Sequence, residues 1–282
     1  MVINMGWDYI WQTIMVSIGT VNLLIAFFQF FRLMKWETTE PHNAKYFLLL
    51  RVLELIFISV ALYRTVFVSS YPDRLAWFDT ILNSPFIIRC LAVFAEMSFI
   101  GMIAAVLLKM CRDIVHISGV DKPLGLILPK LPFVAVGSIF VAQFFAFTGL
   151  ITQYVTPFAI EESLWALAFL SITPVVIVGL KNLKNLAKGF KVFLIIMIVW
   201  CCGYLVFQCF YALPFMYFAE LTQDVGKSIP YEAVRQAIFG YITTRDFNTW
   251  GGIGFLIWHS GYFSLCSWMV LFFMSAPRRV ES

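Results

Sequence analysis

Charge is what this chain has least of. Asp, Glu, Lys and Arg make up 13% of its 282 residues, about half of what a soluble domain carries. So few charges cannot clothe a water-facing surface, and a soluble globular protein is excluded. Histidine is scarcer still, with His42, His116 and His259 scattered along the sequence. No HExxH, paired-cysteine or multi-histidine spacing occurs, so neither a metal nor any other cofactor is expected. GxSxG and P-loop patterns are also missing, and Gly251-Gly252-Ile253-Gly254 is too short and too apolar in setting to cradle phosphate. Asn83-Ser84-Pro85 and Asn248-Thr249-Trp250 both fail the Asn-x-Ser/Thr pattern, which suits a bacterial inner membrane without excluding a eukaryotic cellular one. No basic segment precedes the first apolar run, where Asp8 stands instead, so that run reads as a span and not as a cleaved signal.

What is present is apolar: 61% of the residues are hydrophobic. Seven segments reach the roughly 20 residues needed to cross a bilayer. They are Tyr9 to Leu33, Tyr46 to Val68, Phe86 to Leu108, Leu126 to Leu150, Ala159 to Leu180, Val192 to Tyr217 and Gly252 to Met274. The fold class expected is all-α, a polytopic bundle of seven transmembrane helices forming a single domain over residues 1–282. Arg32, Lys35 and Lys45 follow the first span. Lys109, Arg112, Lys122 and Lys130 follow the third, and Lys181, Lys184, Lys188 and Lys191 the fifth, with Arg278 and Arg279 after the last. The other loops are acidic. By the positive-inside rule the N-terminus is outside and the C-terminus cytoplasmic. The basic residues are thereby accounted for as topology signals, so the partners expected are membrane lipids and a small-molecule ligand, with no nucleic acid. The longest loop contains an amphipathic segment at about 228–244, in which Tyr231, Val234, Ile238, Tyr241 and Ile242 recur at helical spacing after Pro230. Buried free thiols are the reading for the cysteines, and only Cys90 and Cys209 fall near one surface.

Polar groups inside the spans are the informative ones. Arg89 and Glu96 are seven residues apart, two turns on nearly one side of a helix. At 1.5 Å per residue, Glu96 lies about 15 Å and His259 about 11 Å below the outer surface. Arg64 and Arg89 come within about 5 Å of it, in reach of phosphate headgroups, near Glu162. An acid at the depth of Glu96 needs Arg89, Arg64 or His259 as partner, or stays protonated. His259 reads as a hydrogen-bonded core histidine, and helix capping accounts for Glu161 or Glu162. Arg51 and Glu54 form a local i,i+3 pair. Tyr63, Trp77, Trp165, Tyr204, Tyr211 and Trp258 would rim a cavity.

The layout resembles microbial rhodopsins and G-protein-coupled receptors in topology. Arg89 followed by Glu96, and Trp200 with Tyr204, are similar to the rhodopsin arginine, counter-ion and retinal-pocket aromatics. The seventh span has no lysine for a retinal Schiff base, however, and it lacks the receptors' Asn-Pro-x-x-Tyr. Membership in neither family is assigned. The leading functional expectation is an outward-facing polar pocket that binds or passes a small anionic or amphiphilic ligand through Arg64, Arg89, Glu96, Glu162 and His259. A membrane enzyme acting on lipid or isoprenoid, with Glu96 and His259 as acid and base, is the second class. A non-catalytic assembly subunit is the third.

Overall fold

The computed structural model describes residues 6–36, 44–118, 126–182, 188–229 and 231–274. The protein is an all-α integral membrane protein, and among the described residues seven helices are long and apolar enough to cross a bilayer. Six of them are α1 (Trp7–Trp36), α2 (Ala44–Val66), α3 (Pro85–Ser118), α4 (Leu131–Thr152), α5 (Val155–Asn182) and α6 (Lys188–Phe207). After a short α7 (Ala233–Phe239), the seventh span opens with α8 (Ile253–Ser260). α6 runs on through wider π turns, Gln208–Tyr217, into a tight 3-10 segment, Phe218–Asp224. Pro214 lies inside those π turns. A proline has no N–H to donate and its ring displaces the carbonyl one turn back, which a wider turn accommodates. α8 likewise passes into π turns at Gly261–Cys266.

Large apolar side chains such as Phe28, Phe94, Phe133, Phe144, Phe210 and Phe215 are exposed. In water such a surface is costly, whereas in a bilayer it is the lipid-facing belt. α3 is the most enclosed span, with 61% of its apolar window buried against 17% for α1.

The chain forms two compact units. The first joins Met1–Ser98 to Tyr231–Ser275, so it is assembled from both ends of the sequence. Within it α1 packs on α2 at Gly19, where a Cβ would come within 2.9 Å of Leu62 Cδ1. Met15, Asn22 and Ala26 are also buried along α1. A small sheet caps one end of this unit. β1 (Ser69–Ser70) pairs antiparallel with β2 (Leu75–Ala76), and β2 pairs in parallel with β3 (Ile242–Thr243). Beneath the sheet Trp77, Trp250 and Phe255 cluster with Trp7 and Trp11. Asn83 fastens the loop by accepting from Phe78 N at 3.0 Å and donating to Val68 O. Arg245 bonds Asp8 at 3.3 Å, with its guanidinium over Tyr9 and Phe78.

In the segment expected to be amphipathic, the helix is confined to Ala233–Phe239 and is followed by β3. Its buried residues are Ala233 and Ala237, while Tyr231, Val234 and Ile242 are exposed. Ser84 just ahead of α3 donates its hydroxyl to Ile238 O at 2.6 Å, which ties α7 down.

The second unit joins Phe99–Pro230 to Ala276–Ser282 and holds the rest of α3 with α4, α5 and α6. α4 and α5 pack most closely where Gly149 meets Phe158, whose ring would lie 2.7 Å from a Cβ at that glycine. Gln153 closes α4 in the left-handed region at φ 57°. Asp224 then caps α5, accepting from Val155 N and Thr156 N at 2.8 Å each. Capping is therefore not the work of Glu161 or Glu162, since α5 starts at Val155, well ahead of both.

Candidate functional site

Arg89 and Glu96 meet in the first unit. Glu96 leans back toward the N-terminus of α3, as helical side chains do, and the long Arg89 side chain reaches forward to it. Nη1 donates to Oε1 at 2.9 Å and Nη2 to Oε2 at 3.2 Å, a two-pronged pairing. The Arg89 side chain is 0% exposed, so it is enclosed in protein and not offered to headgroups. Tyr71, in the turn between β1 and β2, covers its other face at 5.1 Å.

Arg51 and Glu54 form the expected local pair, 2.6 Å apart on α2. Arg51 also donates to Gln29 of α1, and Gln29 in turn donates to Leu271 O at 3.3 Å. Arg51 and Gln29 together thereby tie three spans.

Arg64, in the last turn of α2, is held differently. Its guanidinium lies 5.5 Å from the Tyr262 ring and 5.2 Å from the Phe263 ring, a cation–π seat. Among the described residues it has no hydrogen bond and no acid partner. The Tyr262 phenol is within electrostatic reach of Arg64, Arg89 and Glu96. Tyr262 and Tyr71 thus belong with the four predicted residues of this unit. Tyr262 stands three residues after His259, a spacing that places both on one helix face and marks it as findable in the sequence.

His259 is packed in rings, 4.3 Å from Phe255, 5.3 Å from Phe263 and 6.1 Å from Trp11. Its Nδ1 is buried with no hydrogen-bond partner among the described residues. That corrects the expectation of a hydrogen-bonded core histidine: the neighbours that the fold supplies are aromatic faces, and Trp11 donates past it to Ser260 Oγ at 3.0 Å. No hydrogen bond or ion pair joins His259 to Glu96.

Glu162 lies in the second unit. Its carboxylate accepts from the Tyr204 hydroxyl at 3.2 Å and from the Gln208 amide. Gln208 opens the π turns of α6 and also approaches Glu162 O at 3.4 Å. All six cysteines are free thiols, Cys90 and Cys209 included.

Among the described residues no three His, Cys, Asp or Glu side chains converge as a metal site. Two open, apolar grooves lie on the surface, and neither is lined by Arg64, Arg89, Glu96, Glu162 or His259. Compared with known protein families, curated proteins and solved structures, the chain matches none.

Proposed function

We propose that this integral membrane protein binds a small anionic or amphiphilic ligand through Arg64, at a polar patch that includes Tyr262 and His259 and faces the outside of the cell or compartment. The observation that carries this reading is the contrast among three arginines. Arg51 and Arg89 are each neutralised by an acid on their own helix. Arg64 rests on two rings with no acid beside it among the described residues. A cation so placed at the end of a span attracts a carboxylate or a phosphate, whether free or on a lipid headgroup. Arg89 and Glu96 then act as the fixed wall of the patch, and Glu162 serves a separate position in the second unit.

The test is a fluorescence titration of the purified protein in phosphatidylcholine nanodiscs, with inorganic phosphate and with decanoate as probes. Arg64→Gln is expected to weaken binding of at least one probe tenfold or more, and Arg64→Lys to restore part of it. Competition by phosphatidylglycerol in the disc identifies a headgroup as the natural source of the anion, and its absence identifies a free ligand. Unchanged affinity in Arg64→Gln, or no binding of either probe, sinks the proposal.

A second reading, a non-catalytic assembly subunit, is favoured by the same local pairs, which hold charge inside the bundle without needing a ligand. It predicts that Arg64→Gln alters co-purifying partners and not probe binding. Acid–base chemistry by Glu96 and His259 draws no support, since Glu96 is engaged with Arg89 and His259 is caged by rings.

A further inference from the structure

The seventh span widens twice. α8 gives way to π turns at Gly261–Cys266, a short α stretch follows at Ser267–Met269, and π turns return at Val270–Met274. In α6 the wide turns contain Pro214, whereas residues 253–274 contain no proline. Backbone chemistry alone therefore does not demand the widening here. A π turn is rare next to an α turn, so contacts from neighbouring elements must hold the span in that form. Those elements are α1 and α2. Ahead of the first wide stretch, Trp11 Nε1 donates to Ser260 Oγ at 3.0 Å. Within it, the Arg64 guanidinium lies 5.5 Å from the Tyr262 ring and 5.2 Å from the Phe263 ring. Within the second, Gln29 donates to Leu271 O at 3.3 Å and accepts from Arg51, which is paired with Glu54. Each wide stretch is thus gripped by an arginine of α2, one directly and one through Gln29. The two arginines are thirteen residues apart, about 20 Å along one helix.

The grips differ in kind. Arg51 is held by a carboxylate that is 0% exposed, a bond that a diffusing ligand does not reach. Arg64 rests on ring faces without a hydrogen bond among the described residues, so an arriving anion competes for it directly. We infer that the seventh span is a two-state relay that couples the Arg64 patch to the Arg51–Gln29 tie at the far end of α2. With Arg64 on the rings of Tyr262 and Phe263, the first stretch stays wide. When an anion draws the guanidinium away, Gly261–Cys266 closes to α turns. That closure swings everything beyond it by roughly 100° about the span axis, the angle of one residue in an α-helix. The swing carries Leu271 O off Gln29 and releases the second grip. Linkage works in reverse as well: loss of the Gln29 bond favours the closed form and so tightens anion binding at Arg64. The ligand of this relay rests on the Arg64 reading, while the mechanical coupling between the two grips does not.

The test measures a distance across the relay in the full-length protein in phosphatidylcholine nanodiscs, on a background with the six cysteines replaced. Nitroxides at Leu24→Cys on α1 and Phe272→Cys beyond the first wide stretch, both exposed positions, report the swing by pulsed electron paramagnetic resonance. Without any ligand, Arg64→Gln is expected to move the mean distance by about 5 Å or more, and Gln29→Leu to move it the same way. Arg64→Lys keeps a cation over the rings and should keep the parent distance. In the parent, saturating inorganic phosphate or decanoate should reproduce the shift, and Gln29→Leu should bind the effective probe at least threefold more tightly. An unchanged distance in both Arg64→Gln and Gln29→Leu overturns the relay, whatever Arg64 binds. So does a probe that binds the parent without moving the labels. If neither probe binds but Arg64→Gln still shifts the distance, the relay stands and the anion reading of Arg64 fails.

Discussion

Two turns of one helix hold a buried, two-pronged ion pair. Arg89 and Glu96 share two hydrogen bonds within a span, and removing one partner of such a pair leaves the other desolvated. Glu96→Gln is therefore expected to cost about 3–5 kcal/mol of stability, read as a lower thermal midpoint in detergent. Because the groups touch, Arg89→Met with Glu96→Leu should lose less than the sum of the two single losses. Strict additivity would show that the pairing contributes nothing. His259 gives the opposite case. Its Nδ1 is buried without a partner and three aromatic rings surround it. Replacing a polar group of that kind by an apolar ring of similar size removes a desolvation cost, so His259→Phe should leave stability unchanged or raise it by about 1 kcal/mol. A clear drop in the thermal midpoint would mean that the imidazole takes a partner in the membrane. That Arg89 and Glu96 share one side of a helix was legible in the sequence because spacing on a single helix is fixed by the chain itself, but it left Arg89 as one of three partners open to Glu96. The surroundings of His259 were not, since which rings face it depends on how α1 and the seventh span come together.

At the scale of elements, turns and close contacts decide more than apolar runs do. Asp246 accepts from Thr249 N and Thr249 Oγ1 at 2.8 Å each, and these bonds hold its carboxyl below the usual value of 3.8. A lowered folded value means that the turn is stabilised at neutral pH and loses that contribution as pH falls through the carboxylate range. Amide exchange at Trp250, whose N–H bonds Asp246 O and whose ring joins the aromatic cap, is expected to speed up in acid. In Asp246→Asn that acid response should be absent. In the second unit, Gly149→Val drives a branched side chain into the Phe158 ring and is expected to cost about 1–3 kcal/mol. The seven spans were legible because twenty apolar residues have few other fates. α7 was only partly so: its apolar spacing pointed to Tyr231, Val234 and Ile238, yet Ala233 and Ala237 are the residues it buries. Small side chains let the helix lie close, a preference that a hydrophobicity pattern ranks last. The two-residue strands were not legible at all, because nothing local distinguishes them from turn.

For the whole molecule, loop charge is the available guide to orientation. On a background with the six cysteines replaced, Glu232→Cys should react with a membrane-impermeant thiol reagent in intact cells, and Lys130→Cys only after permeabilisation. The reverse pattern would invert the assignment. The basic residues supply an expectation for orientation, whereas the partition of the chain into two units has no such local signal, since it rests on contacts between distant segments. That partition has a consequence for how the protein is made. Arg245 donates to the Trp77 carbonyl across 168 positions of sequence, and the parallel pairing of β2 with β3 spans a similar interval. At about 5–20 residues per second, the first three spans wait roughly 10–30 seconds in the bilayer before the segment that completes their unit is synthesised. A helix carrying two opposite charges would be a poor tenant of lipid for that long. The Arg89–Glu96 pair closes within its own helix, so α3 can neutralise itself on insertion, before any later span exists to help.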